Sequence, residues 1–236
     1  MRYQFDNIVE FFNLLNAAEI NYLVLRNYEN LLSPEMYLDG HGDIDLLCED
    51  AQGIVKLVGA VPLTPDVPPL IGDGIHYSIE VRGCPVQLDL RQVGDGYYCT
   101  RWQRDLLDRR VEHESFFVMT DEDYFYTLAY HAVLQKSTLS HEYKCRLAQM
   151  ASELGIDVGG ADERCILRTV ERYMRERDYR FTYTSDILVP NRFNLVDSAL
   201  VEDDSLLRRR HRRYDCKIAI INWLVRCKHI LLFEHF

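Results

Sequence analysis

The chain has 236 residues, 47% hydrophobic and 27% charged, which is enough for one large domain or two small ones with a real core. Its formal net charge of −10 argues against binding of bulk nucleic acid by electrostatic attraction. Its seven cysteines are odd in number, irregularly spaced and without a Cys-x-x-Cys pair, which argues against a disulfide framework and a zinc site.

The first half of the chain predicts alternating helices and strands. Asp6 is a candidate N-cap for a helix to about residue 18, with apolar residues at helical spacing. Four prolines predict a loop at 61–74, and the turn 82–85 joins two strands into a hairpin. The predicted strands are 22–26, 42–47, 75–81, 86–93 and 115–119, and the further helices are 51–57 and 102–110.

After residue 119 the pattern becomes mainly helical. Helices are predicted to begin at Thr120 and to cover 141–154, 161–177 and 205–233, the last as one helix or two. Two extended segments are predicted at 183–189 and 195–201. The predicted fold class is therefore α+β, with a small mixed β-sheet core over 1–119 and a mainly helical domain over 120–236.

Two of the predicted strands carry aspartates. Alternation at period two places Asp43 and Asp45 on one face of the first strand, and Asp89 and Arg91 on one face of the second. If the two strands are neighbours, three carboxylates converge, and like charges that close need a divalent cation. The sequence thus predicts a site for Mg²⁺ (or Mn²⁺) in which Asp43, Asp45 and Asp89 are the metal ligands and the catalytic residues of phosphoryl or nucleotidyl transfer.

A second Asp-x-Asp pair, Asp121 and Asp123, has a different context. It follows Thr120 and precedes an aromatic-rich run at helical spacing. We interpret these acids as structural residues of a helix N-terminus.

The order of helix, strand, loop, Gly-Asp-x-Asp strand and later aspartate strand resembles the nucleotidyltransferase superfamily, which includes DNA polymerase beta, kanamycin nucleotidyltransferase and CCA-adding enzymes. The segments 25–29 (LRNYE), 42–47 (GDIDLL), 88–91 (LDLR) and 130–136 (YHAVLQK) are similar to uncharacterised bacterial nucleotidyltransferase-like proteins. Some of those lie among capsule and cell-envelope polysaccharide genes. The resemblance covers about residues 1–145. It implies a nucleotide or nucleotide-activated donor and a small-molecule or glycan acceptor.

The chain departs from the family pattern before the Asp-x-Asp strand. The family places Gly-Ser or Gly-Gly where this chain has Arg26 and Asn27. A guanidinium can bind phosphate bidentately, so Arg26 is a candidate phosphate ligand; alternatively it pairs with a carboxylate of the triad. Asn27, Arg91, His131 and Lys136 are the other candidate substrate or phosphate ligands, although a histidine on a helix is also a common core residue.

Two other functions stay open from the sequence. Without the glycines, the fold can serve as a catalytically inactive nucleotide-binding regulatory module. It can also carry glycosyl or phosphoglycosyl transfer from an activated donor in polysaccharide biosynthesis.

The C-terminal segment is strongly basic. Residues 208–236 contain eight arginines and lysines against two acids, a local balance of +6, so residues 1–207 carry −16. The segment can lie on an anionic membrane surface or pack on the domain with a solvated basic turn. With no signal-peptide pattern at the start, the sequence predicts a cytoplasmic protein, with membrane contact through 208–236 at the inner face as one alternative.

Overall fold

The computed structural model describes residues 4–33, 43–63, 75–160 and 162–233, without the side chains of 222 and 224–233. Gly42 of the Gly-Asp-x-Asp motif and most of the predicted loop 61–74 lie outside the described residues. So does the end of the basic segment, at 234–236.

A curled mixed sheet of eight strands forms the centre of the described structure. Its order is β1-β5-β6-β3-β2-β8-β7, with β4 paired to β5. The pair β3 and β6 is parallel, and each is flanked on its other side by an antiparallel neighbour, β2 and β5. The strands are β1 (Gln4–Phe5), β2 (Tyr22–Val24), β3 (Asp43–Cys48), β4 (Val61–Pro62), β5 (His76–Val81), β6 (Cys84–Gln92), β7 (Val111–His113) and β8 (Phe116–Val118).

Seven α-helices accompany the sheet within the described ranges. Five of them begin at a side chain that accepts a hydrogen bond from a backbone N–H of the first turn. These N-cap residues are Asn7, Asp50, Thr120, Ser140 and Asp162. The helices are α1 (Ile8–Ala17), α2 (Ala51–Val58), α3 (Thr100–Asp108), α4 (Asp121–Leu134), α5 (His141–Leu154), α6 (Glu163–Glu176) and α7 (Ser205–Phe233).

Apolar residues of β3 alternate between the two faces of the sheet. Ile44 and Leu46 belong to a buried cluster with residues of α1 and α2, whereas Leu47 belongs to a second cluster with α3, α4 and α6. Asp43 and Asp45 share the face of Leu47 because side chains alternate at period two. The acids therefore lie on the side of the sheet that the later helices cover.

The predicted α+β fold class is confirmed, since the structure is a mixed sheet with helices. The second buried cluster contains residues from both sides of residue 119. The division into two domains at that position stays a prediction.

Several element predictions were wrong in detail. The N-cap of α1 is Asn7 and not Asp6, because the Asn7 side chain accepts from the Glu10 N–H at 3.1 Å. Val61–Pro62 pairs with β5 instead of opening a loop, and β7 was missed. The segments 183–189 and 195–201 are not strands: apart from an isolated bridge between Phe181 and Val201, the backbone there forms 3-10 turns and irregular structure.

No described helix is both long and apolar enough to cross a bilayer. The segment 205–233, predicted as one helix or two, is a single helix.

The buried carboxylate of Asp123 joins three helices. It accepts a bidentate pair of hydrogen bonds from Arg109 at 2.8 and 3.0 Å, a third from the Tyr173 hydroxyl and a fourth from Thr120. Arg109 follows α3 and Tyr173 lies on α6, so the helix N-terminus of α4 is fixed to both neighbours. The structural interpretation of Asp123 from the sequence agrees with these contacts.

We expect Asp123→Ala to lower the free energy of unfolding by about 3 kcal/mol, because it strands Arg109 and removes buried charge-assisted hydrogen bonds. Arg109 is 34% exposed, so water limits the loss. Asp121→Ala is the matched control: Asp121 is exposed on the same turn and should change stability by no more than about 0.5 kcal/mol. Urea denaturation of both variants measures the difference, and equal losses would contradict the proposed role.

Candidate active site

The parallel pairing of β3 and β6 brings the three predicted acids onto one face. Asp45 and Asp89 are direct partners in the register, and Asp43 is the partner of Gln87, two residues earlier on both strands. Cross-strand partners point to the same side of a sheet. Asp43, Asp45 and Asp89 thus share one surface of two neighbouring strands, as the sequence predicts.

Arg26 forms an ion pair with Asp45, the middle acid of this group. Its Nε and Nη2 donate to the two carboxylate oxygens of Asp45 at 2.8 and 2.9 Å. Asp45 is 4% exposed. Burial alone would raise its pKa, but the charge and hydrogen bonds of Arg26 outweigh burial and hold the pKa below its ordinary value. Of the two sequence alternatives for Arg26, the described state shows the pairing with the triad.

The pKa values of the other two acids, Asp43 and Asp89, shift in the opposite direction. Burial, followed by the charge of Asp45, raises the pKa of both Asp43 and Asp89. The charged form of these two carboxylates is therefore less favourable than that of an exposed aspartate.

Asp89 has two polar neighbours on its own face of the sheet. The Gln87 amide donates to Asp89 at 3.0 Å, and the His76 Nε2 lies 3.6 Å from the other carboxylate oxygen. Both residues follow from the strand register, because Gln87 precedes Asp89 by two and His76 is its partner on β5. The sequence analysis missed them although period-two alternation could have indicated Gln87.

Asn27 lies where the family has its glycines. Its φ is +57°, in the left-handed region that glycine adopts without strain and that asparagine tolerates better than most residues. The Asn27 N–H is 3.4 Å from the Tyr124 hydroxyl, which also accepts from Arg146, an ion-pair partner of Glu29. The segment after β2 is thus held to α4 and α5. Phosphate binding by Asn27 stays a prediction.

Arg91 shares the face of Asp89 but is directed into the protein. It is 3% exposed, forms an ion pair with Asp186 at 2.9 Å and lies 4.3 Å from the centre of the Tyr97 ring. This geometry favours a structural role, since a ligand would have to replace a buried carboxylate. Phosphate binding by Arg91 stays a prediction that the geometry does not favour.

His131 is fixed in a buried hydrogen-bond network. The Gln135 Nε2 donates to the Tyr97 carbonyl at 3.0 Å, so the Gln135 Oε1 faces His131 and accepts a hydrogen bond from its Nδ1–H at 3.1 Å. The Tyr97 hydroxyl lies 3.2 Å from the same nitrogen. Burial, followed by the charges of Arg26 and Lys136, holds the pKa of His131 well below its ordinary value. A neutral imidazole offers phosphate no charge, so His131 can accept a hydrogen bond at Nε2 but is a poor phosphate ligand.

Lys136 differs from the other basic candidates because it is exposed. It follows the C-terminal end of α4, and no ion pair involves it within the described part of the chain. Its charge lowers the pKa of Asp43 against the effect of burial, so its ammonium group is within electrostatic reach of the acids. Of the predicted phosphate ligands, Lys136 keeps the charge and exposure that the role requires.

Tyr97 and Asp186 complete the site, and nothing in the sequence indicated either. The Tyr97 ring lies between the guanidinium groups of Arg26 and Arg91, 5.7 and 4.3 Å from its centre. Asp186 reaches Arg91 from 95 positions away in the sequence. Only the folded chain brings these residues together.

Asp43, Asp45 and Asp89 are suitable ligands for a divalent cation by residue type, but their side chains are not arranged around a cation in this structure. Carboxylate and amide oxygens are the ligands that Mg²⁺ and Mn²⁺ prefer. Across the described ranges, however, no group of three or more His, Cys, Asp and Glu side chains is arranged to hold a metal ion. At Asp45 the reason is Arg26, which covers both oxygens. A cation that binds Asp45 therefore competes with the guanidinium of Arg26 for these oxygens.

No protein-family model and no curated protein matches the chain. Among solved structures, the chain is similar to an antigenic nucleotidyltransferase-like protein from Paracoccidioides brasiliensis, with a TM-score of 0.39 and 12% sequence identity. The match covers 72% of this chain and 87% of that one.

We expect substitutions of the paired acids to change stability in opposite directions at pH 7 without metal. Asp45→Asn should lower the free energy of unfolding by about 3 kcal/mol, because Arg26 loses its buried partner. Asp89→Asn should raise it by about 0.2–1 kcal/mol, because it removes a like charge directly across the strand pair.

The pH dependence gives the control. Asp45 has a lowered pKa, so its stabilisation is present above the ordinary carboxyl value of 3.8 and is lost as the pH falls. Asp89 has a raised pKa, so the gain from Asp89→Asn fades as the pH falls toward the same value. Urea denaturation of metal-free protein at pH 7 and near pH 3 measures both changes, and effects of the same sign at pH 7 would contradict the assignment.

Proposed function

We propose that this chain is a divalent-cation-dependent enzyme of the nucleotidyltransferase type. Asp43, Asp45 and Asp89 would hold Mg²⁺ or Mn²⁺, and the group transferred would be a nucleotidyl or related phosphoryl group. The observation that carries the proposal is the register of β3 and β6, which places Asp45 opposite Asp89 with Asp43 on the same face.

The charges around the acids support a phosphate substrate with a cation. A polyphosphate cannot approach three carboxylates without a cation between them, and a bound cation would neutralise charge on the donor phosphates. Lys136, exposed beside Asp43, can bind phosphate oxygens directly. Arg26 can do the same when it leaves Asp45, because its planar fork fits phosphate as well as carboxylate.

The acceptor follows from charge and from the sequence resemblance. With −16 over residues 1–207, the body offers no basic track for nucleic acid, which favours a small-molecule or glycan acceptor. A place in polysaccharide biosynthesis rests on the sequence resemblance alone.

The Arg26–Asp45 pair favours a second candidate function. If Arg26 never leaves Asp45, the cation site does not assemble, and the chain is a nucleotide-binding module without turnover. Metal binding distinguishes the two candidates before any acceptor is known.

We expect wild-type protein to bind Mn²⁺ with a nucleoside triphosphate, and Asp43→Asn and Asp89→Asn each to weaken that binding at least tenfold. Asp108→Asn is the matched control, because Asp108 is an exposed acid on α3 and should leave binding unchanged. Calorimetry with each triphosphate measures the affinities. Nucleotide affinity that is the same with and without Mn²⁺, and in all three variants, would support a nucleotide-binding regulatory module without turnover.

Product analysis then defines the reaction. Nucleotidyl transfer releases pyrophosphate, whereas glycosyl transfer from a nucleotide sugar releases a nucleoside diphosphate. Pyrophosphate release that requires the cation and disappears in Asp43→Asn is the expected outcome. Nucleoside diphosphate released from a nucleotide sugar, with no turnover of nucleoside triphosphates, would replace the proposed reaction with glycosyl transfer.

We expect Arg26→Gln to affect cation and nucleotide in opposite ways. Without nucleotide, Mn²⁺ should bind about tenfold more tightly, because it no longer competes with a guanidinium for Asp45. With Mn²⁺ present, the triphosphate should bind at least tenfold more weakly, because the bidentate phosphate ligand is lost. Unchanged Mn²⁺ affinity would show that Asp45 is not a ligand of the cation.

A further inference from the structure

The C-terminal helix α7 has one buried residue among its described side chains, His211, which lies near its beginning. His211 is buried there, donates from Nε2 to the Thr184 carbonyl at 2.7 Å and accepts from Asn191 at Nδ1. Beyond His211 none of the described side chains of α7 is buried. Ile220 is 59% and Trp223 63% exposed.

The apolar part of α7 is the segment 218–225, in which Ile220 and Trp223 are exposed and Ile218 and Ile221 are partly buried. Residues 218–225 read IAIINWLV, with one polar residue in eight. At 100° per residue, Ile218, Ile220, Ile221 and Trp223 point in four different directions around the helix axis. A helix of this kind is normally surrounded by apolar material, and a single packing partner on one face would leave much of it in water.

A basic collar precedes the apolar part. Its members are exposed, and no ion pair involves them within the described residues. Arg208, just before it, has only a loose contact with Asp203 at 3.9 Å. The collar consists of Arg209, Arg210, Arg212, Arg213 and Lys217.

The acidic body does not cancel this local charge. A helix of 29 residues is about 43 Å long at 1.5 Å per residue. Salt screens exposed charges beyond about 8 Å at physiological ionic strength. Most acids of residues 1–207 are screened in this way, and the two near the start of α7, Glu202 and Asp203, which line a cavity with Arg212, offset only part of the charge of the collar.

We propose that α7 binds an anionic lipid surface. The basic collar contacts lipid phosphates, Ile220 enters the apolar boundary of the bilayer and Trp223 lies at the interface, where indole rings accumulate. Lipid covers every side of an inserted helix, which fits an apolar surface that surrounds the axis. A second copy of the chain would cover one face only, and it becomes an outcome of the test.

The two tryptophans make the test direct. Trp102 is fully buried and Trp223 is exposed, so aqueous acrylamide quenches mainly Trp223 in the full chain. We expect vesicles of phosphatidylcholine with 30% phosphatidylglycerol to shift the emission to the blue and to protect Trp223 from acrylamide. In Trp223→Phe the remaining Trp102 signal should not respond. Vesicles of phosphatidylcholine alone should bind at least tenfold more weakly.

A matched pair of triple variants tests the basic collar. Arg209→Gln with Arg210→Gln and Arg213→Gln should weaken binding about fivefold per charge, on the order of a hundredfold in total. Arg104→Gln with Arg164→Gln and Arg168→Gln removes the same charge from exposed positions on α3 and α6, and should change affinity less than about threefold. Vesicle sedimentation measures both.

Three results would overturn the proposal. One is equal binding to neutral and anionic vesicles, and another is equal loss in the two triple variants. The third is no vesicle binding together with protection of Trp223 that increases with protein concentration, which would assign the helix to contact between copies of this chain. None of these results depends on catalysis, so they leave the proposed enzyme function untouched.

Discussion

The parallel pairing of β3 with β6 is the constraint on which the site depends. It fixes the register in which Asp45 faces Asp89, and the same alternation directs Leu46 and Leu90 into the cluster under α1 and α2. A slip of one residue would exchange the two faces, placing carboxylates in an apolar core at a cost of several kcal/mol. Core packing and the position of the acids are therefore set by one set of backbone hydrogen bonds.

Charge balance at the site is achieved only in part by the protein. Arg26 neutralises Asp45 and Asp186 pairs with Arg91, whereas burial, followed by the charge of Asp45, raises the pKa values of Asp43 and Asp89. Binding of a positive charge, either a proton or a cation, is therefore favourable at this site. Arg26 is then the group whose position decides whether the centre of the site is closed or open.

The sequence predicted those parts of the structure that depend on local periodicity. Alternation in 42–47 and 86–93 was enough to predict the face of each strand that carries Asp43, Asp45 and Asp89, whereas the pairing of the two strands came only from the structure. The direction of Arg26 could not be predicted, because the strand ends at Val24 and the chain turns at Asn27, where alternation no longer applies.

The irregular parts of the chain could not be predicted from local periodicity either. Extended residues at 183–189 resemble a strand in composition, but side-chain hydrogen bonds of Thr184 and Asp186 hold the backbone in turns instead. The hairpin partner β7 was missed because its short turn uses Glu114 at a φ of +55°, which composition does not indicate. Contacts such as Tyr97 with Arg91 join positions that no local pattern relates.

The segment 184–186 contacts both the start of α7 and the end of β6. Its Thr184 carbonyl accepts from His211 of α7, and its Asp186 carboxylate holds Arg91, two residues from Asp89 on β6. A local opening of this segment would break the hydrogen bond of His211 at the start of α7 and the ion pair of Arg91 at the end of β6 together. Opening of this segment should therefore couple the start of α7 to the Arg91 side chain, although His211 and Arg91 lie more than a hundred residues apart in the chain.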